Sequence, residues 1–260
     1  MRNLVIAVSP DSSLNLLKTY ADIIILDDES VPDNLASYET VYIRSHFSQP
    51  STLPQNFHSE IQGIVQHAKH TNPDVKFVDG LDSVGAIVDF EDKWRQYEIF
   101  SEYMPRTELL NQETDVYSFR QPLFKKKLSS RGSGITWNIE ETSRSTNDWI
   151  VQESLNIQEE LRVYVICGEV YPIGTIRRNM TSDVPSEAID SRNLTQGEMD
   201  FSSSVMSKVP NMDFVGLDIA LTLDSGLMLM EVNRSPGFAK FNRLTDINLA
   251  SVLYESLRRT

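Results

Sequence analysis

Residues 213–237 constrain the fold of this chain more than any other segment, because they predict a β-hairpin. Two runs of aliphatic residues, 215–223 and 227–232, are typical of strands that bury at least one face. Between the two runs stand the turn-forming residues Asp224, Ser225 and Gly226. We therefore expect an antiparallel pair of strands with a tight connection.

Three oxygen-bearing side chains converge in this predicted hairpin. A two-residue loop sets Asp218 opposite Asn233, and Glu231 shares a face with Asn233 because side chains alternate along a strand. A loop one residue longer turns Asp218 to the other face, so the register stays open. Buried carboxylates need a neutralising partner, and a set of oxygen ligands alone favours Mg²⁺ or Mn²⁺. The alternative is a solvated sheet face without a metal.

Composition excludes several classes of protein. A net charge of -13 argues against binding to nucleic acid. No apolar run exceeds about five residues, against the roughly 20 that span a bilayer, and the N-terminus lacks the pattern of a signal peptide. These features predict no membrane association and a cytoplasmic location. Cys167 is the only cysteine, so no intramolecular disulfide can form.

The pattern of strands and helices along the chain predicts an α/β fold. Strands are expected at 4–8, 23–26, 41–43, 75–78, 123–125, 149–152, 162–166 and 170–176, and helices at 59–70, 90–103 and 246–259. The polar stretch 105–147 reads as a small lobe. The long polar segment 179–204 is a candidate active-site loop.

A second candidate site follows the strand that contains Lys125. The small residues after it, 129–134, let backbone N–H groups approach an anion closely, so Ser130 and Gly132 are candidate phosphate contacts. The lysine precedes the glycines, so this is not a Walker A sequence. A flexible connection is the alternative interpretation.

The order of these features along the chain resembles the ATP-grasp superfamily. It runs from the strand lysine and small-residue loop through VQESL, ELR, RNLTQG and GLD to EVNRSPG. The likeness is closest to RimK-type glutamate ligases and glutathione-synthetase-like enzymes, and it covers residues 88–250. It implies an N-terminal α/β lobe (1–87), a helix with a small central lobe (88–148) and a C-terminal lobe with the metal site (149–260). The last two lobes would clamp the nucleotide.

The resemblance also implies roles for individual residues. Lys93 and Lys125 match residues that bind the nucleotide phosphates, and Glu160 matches the acid that accepts the ribose hydroxyls. Arg177 falls near the arginine at the reacting phosphate, and Asn193 matches an asparagine of the active-site loop. The adenine hinge corresponds to Gln152, Glu153, Ser154 and Leu155, and the magnesium ligands correspond to Asp218, Glu231 and Asn233.

Some positions depart from the family pattern or stay open. Ser129 stands where the family often has glycine, and Glu198 stands where RimK-type enzymes have a second glycine. Lys126 or Lys127 would replace Lys125 if the loop were counted differently. Arg178 is likewise an alternative to Arg177.

The resemblance implies a ligase that uses ATP with Mg²⁺ or Mn²⁺ to join a carboxylate to an amine through an acyl phosphate. The substrates would be small molecules or peptides, and a homo-oligomer remains open. A phosphotransferase acting on a hydroxyl and a nucleotide-binding partner protein without turnover are the alternatives. Candidate acceptor contacts are Arg44, Ser45 and His46 at a strand end, and Arg234 beside the metal ligands.

Overall fold

The computed structural model describes residues 2–7, 11–26, 35–44, 57–128, 134–179 and 190–259. Its strands form three sheets, with helices packed on them. Among the helices in these ranges, none combines the length and the apolar composition needed to cross a bilayer.

The first sheet is parallel and belongs to the N-terminal part of the chain. Its strands are β1 Asn3–Ala7, β2 Asp22–Ile25, β3 Thr40–Arg44 and β4 Lys76–Phe77, in the order β2-β1-β3-β4. The helices of this part are α1 Leu14–Leu17, α2 Phe57–Thr71 and α3 Val84–Glu91. Leu4 and Ile6 face the core with α2, while Val5 and Ala7 face a second core shared with the C-terminal part. The sheet is therefore covered on both faces, as parallel sheets usually are.

The helix expected at 90–103 is in fact two helices. The first is α3, and the second, α4, spans Lys93–Phe100. Asp92 between them has extended backbone, and its side chain accepts hydrogen bonds from the N–H groups of Trp94 and Arg95. An aspartate that caps a new helix in this way ends the preceding one. As a result, Lys93 is the first residue of α4.

The second sheet is small and antiparallel. Its strands are β5 Thr107–Leu109, β6 Pro122–Lys126, β7 Ile135–Thr136 and β8 Trp149–Glu153, in the order β5-β8-β6-β7. A domain boundary at residue 148 would separate β8 from the strands with which it pairs. The three domain ranges themselves remain a prediction.

The third sheet carries most of the candidate site residues. Its strands are β9 Ile157–Ile166, β10 Glu169–Val170, β11 Ile173–Asn179, β12 Asp190–Asn193, β13 Phe214–Thr222 and β14 Gly226–Asn233. The order is β12-β11-β9-β13-β14, with β10 paired to β9. The predicted strand 170–176 is thus two strands. Helices α5 Gln196–Met206, α6 Ala239–Thr245 and α7 Leu249–Leu257 complete the chain.

The segment 179–204 is not a plain loop where it is described. It contains β12 and the first turns of α5, while 180–189 lie outside the described residues. Thr195 and Glu198 form a capping box at the start of α5. Glu198 also holds Arg192 through two hydrogen bonds of 2.6 and 2.9 Å. The glutamate found in place of a second glycine therefore has a structural role.

The hairpin is present, but the register expected for a two-residue loop is not the one observed. Thr222 pairs with Gly226, so the loop has three residues, 223–225, instead of two. Such a loop alone would turn Asp218 away from Glu231. A β-bulge between Asp218 and Ile219 shifts the register by one residue. Asp218 then lies opposite Glu231, and Asn233 lies opposite Gly216.

Candidate active site

Asp218 is the centre of the site in the third sheet. It is paired with Arg162 on β9 and with Glu231 on β14, so the three side chains lie on one face in a row across the sheet. Asn233 lies on the same face two residues further along β14, and its Nδ2 donates to Asp218 Oδ2 over 3.0 Å. The loop and the bulge together thus bring the three predicted oxygen ligands to one place.

Two arginines neutralise the Asp218 carboxylate. Arg162 donates from Nε to Oδ1 and from Nη2 to Oδ2, both at 2.7 Å, and Arg177 Nη1 donates to Oδ2 at 2.8 Å. Burial raises the pKa of Asp218, but the charges of Arg162 and Arg177 lower it, and the net direction is downward. The carboxylate is therefore ionised at neutral pH.

Arg162 is a site residue that the sequence interpretation missed. Its side chain is 15% exposed and forms a two-pronged ion pair with Asp218. Burial lowers the pKa of this guanidinium and Asp218 raises it, with a net upward shift. The available signal was a lone arginine within an otherwise aliphatic run, in the ELR motif, because a cation buried in a strand needs an anion beside it.

Lys93 and Glu160 are linked to the same group of charged side chains. Lys93 Nζ lies 3.8 Å from Glu231 Oε1, at the point where α4 begins. Arg177 Nη1 lies 3.3 Å from Glu160 Oε1, so this arginine lies between Glu160 and Asp218. Residues predicted from motifs far apart in sequence thus form one connected charged cluster.

Lys125 reaches this cluster from the second sheet. Its Nζ donates to Gln152 Oε1 over 2.6 Å, and Gln152 Nε2 donates to Thr107 Oγ1 over 2.8 Å. Burial lowers the pKa of Lys125 to about 8, and the charge of Lys93 adds to this effect. Gln152, predicted to contact adenine through its backbone, here also orients the lysine through its side chain.

The geometry distinguishes Lys125 from its two neighbours. Lys125 is 8% exposed and faces the carboxylates, whereas Lys126 is exposed, with its Nζ 5.5 Å from the centre of the Trp149 ring. Lys127 Nζ lies 3.5 Å from Asp92. Neighbouring residues of a strand point to opposite faces, so Lys125 and Lys126 do not share a role.

The remaining predicted residues make no described contact with Asp218. Ser154 and Leu155 are half-buried in the connection from β8 to β9, and Glu153 accepts a hydrogen bond from the Arg120 N–H. Asn193 is exposed at the end of β12, on the same face as Asp218 but three strands away and two residues further along, at about 16 Å. Ser129, Ser130 and Gly132 lie outside the described residues, as does the side chain of Arg178.

Arg234 and Arg44 are buried, and their guanidinium groups form ion pairs within the protein. The guanidinium of Arg234 is 1% exposed and binds Asp79 and Glu91 at 2.9 and 2.8 Å. Arg44 binds Asp11 at 2.8 Å and donates to the carbonyl of Pro236 over 2.9 Å. The suggestion that they contact the substrates is therefore corrected: both fix the loop after β14 to the first sheet. The other acceptor candidates, Ser45 and His46, lie outside the described residues.

The chemistry of the oxygen ligands fits a Mg²⁺ ion. Asp218 Oδ1 accepts one hydrogen bond and keeps a second lone pair. The Asn233 amide presents its nitrogen to Asp218, and it would have to flip to offer its oxygen to an ion bound there. The Glu231 side chain is 36% exposed. In the part of the chain that is described, no three His, Cys, Asp or Glu residues gather as a metal cluster. A metal here would therefore depend on the amide and on oxygens of water and phosphate, as is usual for Mg²⁺.

A nucleotide-binding enzyme is the class that this fold and cluster define, and comparison with known families agrees. The model of the RimK-like ATP-grasp domain matches residues 106–257, more than half of the chain. The chain therefore belongs to the RimK-like ATP-grasp family. This membership confirms the prediction of an ATP-dependent carboxylate–amine ligase. No curated protein is similar enough in sequence to count as a relative.

Solved structures share the fold over nearly the whole chain. The ATP-grasp ligase PsnB, complexed with a minimal precursor, has a TM-score of 0.71 at 14% identity, covering 99% of this chain and 98% of that one. The D-cycloserine synthetase DcsG has a TM-score of 0.66 at 12% identity, covering 98% of this chain and 99% of that one. The macrocyclase MdnC of Microcystis aeruginosa MRC, bound with precursor peptide MdnA, has a TM-score of 0.66 at 12% identity and covers all of both chains.

Proposed function

We propose that this ligase joins a carboxylate of a small molecule or peptide to an amine, at the cluster formed by Lys93, Lys125, Arg177, Asp218 and Glu231. The observation that carries the proposal is the convergence of these side chains from α4, the second sheet and the third sheet. Two lysines and an arginine beside two carboxylates provide cations for phosphate groups and anions for a metal.

In this proposal the nucleotide lies between the second and third sheets. Lys93 and Lys125 bind its phosphates, with Ser130 and Gly132 contributing from the phosphate loop. The connection Gln152, Glu153, Ser154 and Leu155 borders the adenine, and Glu160 accepts hydrogen bonds from the ribose. The Gln152 side chain supports this arrangement because it holds Lys125 by a hydrogen bond of 2.6 Å.

Asp218, Glu231 and Asn233 would hold Mg²⁺ or Mn²⁺, which when bound supplies positive charge to the β- and γ-phosphates. A structure of PsnB with Mg and ADP, at a TM-score of 0.66 and 15% identity to this chain, supports this pairing of metal and nucleotide. Arg162 would not contact the nucleotide. Its ion pair with Asp218 keeps that carboxylate ionised and oriented.

The reaction then proceeds in two steps. A carboxylate oxygen of the substrate attacks the γ-phosphorus, the bond to ADP breaks, and an acyl phosphate forms. The amine attacks the acyl carbon, inorganic phosphate leaves, and the nitrogen loses a proton as the amide forms. Arg177, held between Glu160 and Asp218, offsets the charge that develops on the transferred group. Asn193, at the end of β12, would be a further residue of the catalytic site.

A peptide carboxylate is the substrate class that the comparisons favour. PsnB and MdnC are complexed with a precursor or precursor peptide in structures that match this chain over nearly its whole length. The likeness to DcsG keeps small molecules among the candidates.

We expect ADP release from MgATP to require both a carboxylate and an amine. The measurement is a coupled ADP assay with pools of acidic peptides or free amino acids, each with and without an amine pool, followed by mass spectrometry of the products. A product with the summed mass of the carboxylic acid and the amine minus one water supports the proposal. Phosphorylation of a hydroxyl without an amine would indicate the phosphotransferase instead, and tight nucleotide binding without turnover would indicate a partner protein.

Nucleotide affinity should fall as pH rises through the pKa of Lys125. In the free protein this pKa is about 8, so the charged form that binds phosphate is a minority above it. The dissociation constant for ATP without metal should increase about 10-fold between pH 7 and pH 9, because affinity scales with the competent fraction. The measurement is isothermal titration calorimetry in EDTA.

The controls are Lys125→Met and Lys126→Met. Lys125→Met should bind ATP weakly with a flat pH profile, and Lys126→Met should keep the wild-type dependence of affinity on pH. A wild-type pH dependence in Lys125→Met would contradict the assignment.

The contribution of Lys125 to folding stability should show the opposite dependence on pH. The unfolded lysine binds its proton up to a higher pH than the folded one, so this group's contribution to stability rises with pH between its folded and unfolded pKa values.

A further inference from the structure

Gln96 is a buried amide that contacts the strand of the predicted metal ligands. It lies on α4, is 2% exposed, and is separated from its partner Val232 by 136 residues in sequence. Its Oε1 accepts a hydrogen bond from the N–H of Val232, and its Nε2 donates to the carbonyl of Val232, both at 2.9 Å. One side chain thus satisfies both backbone groups of one residue.

Val232 stands between the two ligand positions. Glu231 precedes it and Asn233 follows it, on the face opposite to that of Val232. Among the described residues, β14 is the last strand in the order of the third sheet, and no strand of those ranges pairs with its outer backbone groups. The amide of Gln96 takes the place of that strand at the position where the backbone carries both ligands.

The same amide is fixed from the other side. Gln96 Nε2 also donates to the carbonyl of Phe90 over 2.9 Å, so both hydrogens of the amide are used. A further bond of 2.7 Å, from the Leu229 N–H to the Tyr103 carbonyl, fixes β14 beyond the bulge. Lys93, one turn before Gln96 on α4, lies 3.8 Å from Glu231. The helix therefore holds the strand and supplies a cation to the same site.

We propose that Gln96 is a positioning residue for the metal ligands Glu231 and Asn233. It fixes the φ and ψ angles around Val232, which set the direction of the two flanking side chains. A metal that needs near-ideal octahedral geometry is sensitive to such a change, because small displacements of its ligands cost affinity. This inference rests on the metal site of the proposed function.

The test compares Gln96→Met, which keeps the length but not the amide, with Gln96→Asn, which keeps the amide but cannot reach Val232 in the same way. Mn²⁺ binding in the presence of ADP is followed by electron paramagnetic resonance, and ADP binding is measured in EDTA. We expect both variants to bind Mn²⁺ about 10-fold more weakly, as for residues that orient a metal ligand. ADP affinity without metal should be unchanged.

The matched control is Phe100→Leu, a fully buried residue at the end of the same helix. It should lower the melting temperature without changing Mn²⁺ affinity. Wild-type Mn²⁺ affinity in Gln96→Asn would overturn the inference, and so would an equal loss in Phe100→Leu, because the effect would then belong to helix packing. If the wild type itself binds no Mn²⁺ with ADP, the proposed metal site fails first, and the inference fails with it.

Discussion

Replacing Asp218 with alanine should abolish ADP release and lower the free energy of unfolding by about 3–5 kcal/mol. The carboxylate is 5% exposed and accepts hydrogen bonds from both Arg162 and Arg177. Without it, the two guanidiniums lose the carboxylate that they share in a buried site. Urea unfolding and ADP release from the same preparation measure the two effects.

Asp22 provides the matched control, because it also forms an aspartate–arginine pair but on the surface. The side chains of Arg2 and Asp22 are 59% and 54% exposed. Asp22→Ala should change stability by less than about 1 kcal/mol and leave turnover intact. An Asp218→Ala protein as stable as Asp22→Ala would mean that the arginines find other partners, and the central role of Asp218 would be lost. Asp218→Asn should keep more stability than alanine but remain inactive.

Glu231→Gln should keep the fold and reduce turnover by about 100-fold or more, because changing residues that merely orient a metal ligand already costs about 10–100-fold. The Glu231 side chain is 36% exposed and its ion pair with Lys93 is long, at 3.8 Å, so stability should change little. The variant keeps the shape of the side chain and removes one negative charge from the predicted ligands. Raising the Mg²⁺ concentration should restore part of the activity.

The measurement is ADP release against Mg²⁺ concentration at saturating ATP, beside thermal unfolding. Glu169→Gln, at an exposed position on the short strand β10, is the matched control and should behave as the wild type. Wild-type turnover of Glu231→Gln at limiting Mg²⁺ would remove Glu231 from the metal ligands. If Glu231→Gln instead loses turnover but keeps its stability, while Asp218→Ala loses both, then Glu231 is needed for activity alone and Asp218 is needed for activity and folding.

Local patterns were sufficient to predict several elements. The spacing of Ile61, Ile64, Val65 and Ala68 predicted a helix with one buried face, and all four are buried on α2. The hairpin followed from two aliphatic runs and a turn. Such elements depend on residues close in sequence, whose periodicity already reflects which face is buried.

Other features depend on residues that are distant in sequence. The break at Asp92 was missed because Phe90 continues the helical spacing of Trp94, Tyr97 and Phe100 across it, while the cap depends on the exact backbone at one residue. The strand β8 was expected to belong with the strands after it, yet it pairs with β5 and β6. Strand partners are chosen by three-dimensional packing, and the sequence of a short strand carries little information about them.

The sequence by itself determined the family, the α/β class and the residue types of the site, because ordered motifs and hydrophobic periodicity are local properties of the chain. Only the tertiary structure decided that Asp218 lies opposite Glu231, that Arg162 neutralises it, and that Gln96 holds Val232. The register depended on one bulge, since a shift of one residue reverses the face of every side chain. The partners of buried charges and of edge backbone groups were decided by the requirement that each be satisfied inside the fold.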